Sequence, residues 1–253
     1  MDRLAFVAAN AIAAQAQIRQ NITHGIANVS TTGFKQSFAS VTESFRADGA
    51  GISTRINPQN IPSDLVDLSG GSAIFTGQRL DIALNGNAVM GVTALDGASA
   101  YTRRGDLRIN NQGALETGTG QLVRSDNGGA ITIPVGLEVS IQEDGSIFGI
   151  DRTQVGPVQS VLIGKINMRD ATGVLIERRI DGLFQVKGKP GEEIPTGEVT
   201  PTLKPQTLES SNINPVEYMI RLMDYARSFE HQVNLVKSAK QNDESGTSML
   251  KPS

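Results

Sequence analysis

The chain has neither cysteine nor tryptophan. Without thiols there can be no disulfides, no thiolate metal sites and no cysteine nucleophile. The lack of a stray thiol also fits an oxidising compartment. Aromatic residues are only 4% of the chain. Such rings dominate surfaces that stack sugars or bases, so a glycan or nucleobase cleft is disfavoured. An excess of positive charge is missing too: 23 Lys and Arg stand against 26 Asp and Glu, a formal charge of -3. Nucleic acid and anionic membranes demand a basic footprint, so neither is expected as a main partner. No run approaches the roughly 18 apolar residues of a membrane-spanning helix. The apolar start MDRLAFVAANAIAAQAQIRQ is broken by Asn10, Gln15 and Gln17 and has no small-residue cleavage pattern, so no cleaved leader is expected.

What is present is helix at both ends and turn-rich strand between. In residues 2–26, Leu4, Val7, Ala11, Ala14 and Ile18 recur at the three-and-four spacing of a helix stripe, with no glycine or proline before Gly25. Residues 213–241 repeat the pattern with Val216, Ile220, Met223, Ala226, Phe229, Val233 and Val236. Asn212 or Asn214 supplies a cap, Pro215 suits the first turn, and Glu217 complements the positive end of the dipole. A narrow stripe cannot be buried by its own helix, which predicts that the two ends pack on each other and on further copies.

Between the helices, β-branched or alternating runs are cut by Asn85-Gly86, Asp96-Gly97, Gly128-Gly129, Asp144-Gly145 and Asp181-Gly182, the signature of short antiparallel strands. The expected fold class is therefore α+β, with N- and C-terminal helices paired as a coiled-coil-like domain and a central antiparallel β domain. The expected boundaries are 1–26 plus 213–253 for the helical domain, 27–72 for an elbow and linker, 73–187 for the β domain and 188–212 for a return linker rich in proline and glycine.

Convergent catalytic groups are scarce. His24 and His231, the only histidines, sit in segments read as packing helices, and most of the β-domain aspartates considered stand beside glycine, where hairpin chemistry explains them. There is no Glu-x-x-His, no close His pair and no calcium-loop pattern, and Gly118-Thr119-Gly120 lacks the setting of a dinucleotide site. Arg103-Arg104 and Arg178-Arg179 read as solvated strand faces. No cofactor, no metal, no small-molecule substrate and no catalytic residue is expected.

Two terminal motifs are more specific. Residues 27–35 read ANVSTTGFK and residues 208–217 read LESSNINPVE. They resemble the signatures of the flagellar rod and hook family, in which an Ala-Asn-x-x-Thr-x-Gly-Phe segment follows the first helix and a Leu-Glu-x-Ser-Asn segment opens the last. The stretches TGQRLDIALNGNAVMGV (76–92) and AYTRRGDLRINNQGALETGTGQLV (100–123) resemble the family's shared β segments, and GGAITIPVGLEVSIQEDGSI (128–147) is similar to that of a proximal-rod member. Where the family usually has Asn-Asn-Leu, this chain has His24-Gly25-Ile26.

The resemblance implies a non-enzymatic structural subunit of the basal-body rod, spanning the periplasm, with terminal helices forming an inner tube and the β domain an outer layer. Its implied partners are copies of itself, the other proximal- and distal-rod proteins and the flagellar export apparatus. Assembly contacts are expected at Leu4, Val7, Ala11, Ile18, Val216, Ile220, Met223, Phe229, Val233 and Val236. The elbow is expected at Ala27, Asn28, Thr31, Gly33, Phe34 and Lys35, and the lead-in to the last helix at Leu208, Glu209, Ser211 and Asn212. The alternatives are a distal-rod or hook protein of the same family and, from another class, a secreted cell-wall glycan-binding or hydrolytic β protein.

Overall fold

The computed structural model describes residues 2–37, 41–46, 56–61, 65–151, 160–197 and 199–249. Helix α1 (Asp2–Ala27) is followed by β1 (Val41–Arg46), β2 (Ile56–Ile61), β3 (Ala73–Phe75), β4 (Ile82–Leu84), β5 (Ala88–Thr93) and β6 (Ser99–Thr102). Then come β7 (Leu107–Ile109), β8 (Leu115–Thr117), β9 (Leu122–Val123), β10 (Glu138–Ile141), β11 (Ser146–Ile150) and β12 (Ser160–Lys165). The chain continues with β13 (Met168–Asp170), β14 (Ile176–Arg178), β15 (Phe184–Val186), β16 (Leu203–Pro205) and β17 (Thr207–Glu209), and α2 (Pro215–Met249) closes it.

These elements form two compact units. One comprises Asn28–Phe38 and Leu65–Ile213; the other comprises Met1–Ala27, Ala39–Asp64 and Asn214–Ser253. In the first unit the main sheet runs β14-β15-β6-β5-β9-β8-β7, with β13 also on β5, and a second sheet runs β10-β11-β12. The pairs β16-β4 and β17-β3 tie the end of the unit back to its beginning. Every pairing is antiparallel, as glycine-bearing turns between short strands dictate. Gly97 and Gly182 take positive φ (82° and 83°) at two of the predicted turns, a region where a Cβ is strained.

The core of this unit is aliphatic and built from Ile82, Met90, Val92, Leu115, Val123 and Ile147, each without solvent exposure. A smaller cluster gathers Val89, Ile176, Phe184 and Ile194 around Tyr101, whose hydroxyl accepts a hydrogen bond from the Ile194 amide at 2.8 Å. Several expected strands are split. The run 74–84 becomes β3 and β4, and 100–109 becomes β6 and β7, because the backbone at Gly105 passes too close to the Ile82 carbonyl for any Cβ to fit. Strands β16 and β17 lie in the segment expected as a return linker. The hairpin β1-β2 lies in the segment expected as elbow and linker.

The expected fold class needs correction. Among the described residues there are two helices and seventeen strands, so most of the elements are antiparallel strands. The terminal helices do not form the coiled-coil-like seam that the stripes suggested. A seam would enclose the stripe residues as knobs, yet Val216, Ile220 and Met223 are 64%, 54% and 57% exposed, and Ile18 is 41% exposed. Small and polar groups meet instead. Gln15 donates to the Ser228 hydroxyl at 2.6 Å, and the Tyr218 ring lies against Gly25, where a Cβ would collide with it. Helix α2 begins as its caps require: Asn214 Oδ1 accepts from the Val216 and Glu217 amides (3.1 and 3.5 Å), and Glu217 pairs with Arg221 at 2.6 Å.

Leu115→Ala should leave a void at a site with no solvent exposure and destabilise the chain by about 2–5 kcal/mol. Val135→Ala, at a fully exposed position, should change stability by less than about 0.5 kcal/mol. Denaturant midpoints of the two variants check this contrast.

Candidate functional site

A buried polar cluster of the β unit centres on Glu209, the second residue of the LESSN motif. Strand β17 delivers it by pairing Glu209 with Ala73 of β3. Its carboxylate is 5% exposed and lies between two cations more deeply buried than itself. Lys35 donates from Nζ to Oε1 at 2.6 Å and to the Ser69 carbonyl at 2.7 Å. Arg103 donates from Nε to Oε2 at 2.8 Å. The remaining guanidinium hydrogens reach the carbonyls of Leu84, Gly86 and Ala88 at 2.8, 2.6 and 2.9 Å, so Arg103 also closes the turn between β4 and β5. The Gly71 amide donates to Oε1 at 3.0 Å.

The triad draws together three stretches distant in sequence: the elbow after α1, the strand before α2, and the β4–β6 region. The backbone repeats the connection. The Gly33 amide donates to the Glu209 carbonyl at 2.7 Å, and Gly33 takes φ 67° with its Cα packed on the Arg103 carbonyl, so only glycine fits there. Within the elbow, the Thr31 amide donates to the Asn28 carbonyl at 3.1 Å and the Phe34 amide to the Thr31 carbonyl at 3.3 Å. Phe34 is buried, and the Arg178 guanidinium lies 4.5 Å from its ring centroid and 5.6 Å from that of Phe184. Arg178 also donates to the Lys35 carbonyl. Asn212 completes the lock by accepting from the Gln36 amide at 2.8 Å and donating to the Asp67 carbonyl and Ser69 hydroxyl at 3.1 Å each.

Two cations share one carboxylate, so the cluster holds a net positive charge away from water. Burial, then the Arg103 charge, push the Lys35 ammonium below its usual range against the pull of Glu209. Burial would raise the Glu209 carboxyl, but hydrogen bonds and charge from Arg103, then from Lys35, outweigh it and hold the group below the usual carboxylate range. Desolvating ions costs several kcal/mol each, so such a cluster specifies geometry more than it adds stability. What it specifies here is where the chain leaves the β unit at both ends.

Of the expected elbow residues, Phe34 and Lys35 are buried, Asn28 and Thr31 are half-buried and Ala27 is exposed at the end of α1. In the lead-in, Glu209 and Ser211 are buried, Leu208 pairs with Ile74, and the Ser211 hydroxyl accepts from the Ile213 amide at 3.2 Å. The side chains of Leu4, Val7 and Ala11 lie outside the described residues. Ile18, Val216, Ile220, Met223, Phe229 and Val236 are exposed on their helices and Val233 is half-buried. They do not converge on the triad. Sequence reasoning missed Arg103 and Arg178, read as solvated; their side chains are respectively 1% exposed and held between two rings. The available signal was strand alternation, which puts Arg103 on the same face as Tyr101.

Two family models match the chain. One, described as the flagellar hook protein FlgE/F/G D1 domain, covers residues 83–149. The other, described as the flagellar basal body rod FlgEFG protein C-terminal, covers residues 204–249, from β16 through α2. These matches mark an axial protein of the flagellar hook and rod class. The chain is 30% identical to the flagellar basal-body rod protein FlgF of Salmonella typhimurium, over 99% of each chain, and 30% identical to FlgF of Escherichia coli, over 96% of each. It is 28% identical to the flagellar basal-body rod protein FlgG of Bacillus subtilis, over 86% of this chain and 88% of that one. The chain belongs to the flagellar basal-body rod protein family, structural subunits of the rod.

Glu209→Gln should strand two buried cations and destabilise the β unit by about 3–5 kcal/mol. Lys35→Met leaves the Glu209–Arg103 pair intact and should cost less than half as much; chemical denaturation of both variants ranks them. The Glu209 pKa is depressed in the fold, so its contribution is complete above the unfolded value, 4.5, and is lost as pH falls through the folded one. The folded Lys35 pKa is depressed too, so its contribution to stability rises as pH climbs from the folded value toward the unfolded one, 10.5. Denaturation across acid and alkaline pH should show both slopes in the parent, and Glu209→Gln should flatten the acid one.

Proposed function

We propose that this chain is a proximal-rod subunit that assembles with copies of itself and with other rod proteins into a hollow shaft, which transmits torque and passes exported subunits. The observation that carries this reading is the exposed stripe of α2. Along its first three turns Val216, Met219, Ile220 and Met223 are each more than half exposed. An unpartnered row of large apolar side chains is costly in water and marks an interaction face. Each such side chain covered by a neighbour would contribute about 1.5–3 kcal/mol.

The chain does no chemistry of its own in this reading. It is a positioning device whose residues 1–26 and 213–253 make contacts between copies, while the buried triad sets the directions in which the chain enters and leaves the β unit. Family membership supports assembly with other rod proteins, and the proximal position rests on the likeness to FlgF. The export apparatus is proposed as the partner that delivers the chain to its site. Glycan recognition has little support, because the cleft between the β5–β6 and β14–β15 turns is lined by Leu95, Asp96, Arg178, Arg179, Ile180 and Gln185 among others, with no aromatic platform.

Val216→Asp or Ile220→Asp should abolish incorporation into basal bodies and stop motility while the melting transition of the β unit stays unchanged. Basal-body fractionation with an immunoblot reads the first, and swimming assays the second. Normal motility with either substitution would sink the proposal.

A further inference from the structure

We propose that Gln15 and Gly25 set the register of α1 against α2 and do so at a cost in stability. The inference goes beyond the rod-subunit reading and does not depend on it. Two contacts between the helices share one antiparallel register. Gln15 meets Ser228 at 2.6 Å, and ten residues further along α1 the backbone at Gly25 meets the Tyr218 ring, ten residues back along α2. Among the described residues of α1, Gln15, Ile22 and Gly25 are buried, and their spacing puts them on one face. On α2 the matching face carries Tyr218, which is buried, with Tyr225 and Gln232 half-buried at intervals of seven residues.

A contact shaped by stability alone would not look like this. The side-chain carbonyl oxygens of Gln15 and Gln232 are both buried and accept no hydrogen bond among the described residues. A buried acceptor left unpaired costs stability, whereas an apolar side chain of similar size carries no such penalty. Glycine within a helix is a further cost, and at Gly25 any Cβ would collide with the Tyr218 ring. Polar groups in a helix contact serve to select one arrangement over its neighbours.

The neighbouring arrangements are specific. Sliding α2 by one turn in one direction sets Gln15 against Asp224 and brings the Tyr218 ring onto Asn21, whose side chain fills the place that Gly25 leaves open. Sliding it the other way sets Gln15 against Gln232, but it carries Tyr218 past Ala27, the last residue of α1, and leaves the notch at Gly25 facing Leu222. Apolar side chains alone would tolerate either slip, because such packing adapts. The register also matters on the far side of α2. Val216 and Tyr218 lie about 200° apart around the helix, so the same two contacts fix the height of the exposed row Val216, Ile220 and Met223 relative to α1.

The absence of native cysteine makes a direct test possible. Ile18 and Tyr225 lie seven residues from Gly25 and Tyr218 on the same faces. Ile18→Cys with Tyr225→Cys should therefore close a disulfide within one chain when the purified full-length protein is oxidised at high dilution. Ile18→Cys with Arg221→Cys, or with Phe229→Cys, reports the two slipped registers and should close several-fold more slowly. Adding Gln15→Leu should leave the denaturation midpoint unchanged or higher and remove most of that preference. Equal rates for the three pairs in the otherwise unchanged chain, or a preference that survives Gln15→Leu intact, would overturn the proposal. If Gln15→Leu loses its helical circular dichroism, Ser228→Ala decides the matter, since it deletes only the hydroxyl that Gln15 meets. The preference should fall there too, and an undiminished one would count against Gln15. Gly25→Ala, which blocks the notch, should slow the first pair; an unchanged rate would reject the part given to Gly25.

Discussion

One carboxylate, Glu209, holds the β unit's two exits together. It takes Lys35 of the elbow on one oxygen and Arg103 of the sheet on the other, at 2.6 and 2.8 Å, in a site closed to solvent. A purely apolar core could close the same space, and often with greater stability. It could not fix direction so narrowly, because hydrogen bonds from a guanidinium and an ammonium fail when geometry shifts, whereas packed methyl groups tolerate small displacements. The rod subunit proposed above, whose two chain ends would meet neighbouring copies, needs the former.

The surrounding contacts follow from this constraint. Gly33 lets the elbow backbone touch the sheet, Arg178 holds Phe34 from the β14–β15 hairpin, and Asn212 joins the elbow to the lead-in of α2. Paired strands β16-β4 and β17-β3 bring the C-terminal end of the unit back beside its N-terminal end, which is what places Glu209 within reach of Lys35. The elbow, the lead-in and the sheet are thus tied into one joint within the β unit.

Much of this was legible in the residues and some was not. The helices were visible from period and caps, and the ends found, Asp2–Ala27 and Pro215–Met249, lie close to those read from the pattern at the N-terminal ends. The hairpin turns were visible because Asp-Gly and Asn-Gly have few other uses. What failed was inference from a stripe to its partner: apolar residues at helical spacing say that a face will be covered, not by what, and among the described residues the contact between helices runs through Gln15, Ser228, Gly25 and Tyr218. The triad was hidden for the opposite reason. Lys35 and Glu209 stood out only as parts of motifs and Arg103 as a surface cation, because a buried ion looks like a solvated one until its partners, distant in sequence, are brought beside it. Gly25, a departure from the family's usual residues, gains a reason once the Tyr218 ring is seen against it.

The most direct test of the joint is backbone amide exchange in Glu209→Gln against the parent chain. If Glu209 holds both exits, the amides of Gly33, Gln36 and Gly71 should lose protection together, while that of Leu115 in the core exchanges as before. Loss confined to Gly71, or unchanged protection at Gly33 and Gln36, would contradict the claim that this one carboxylate fixes both ends.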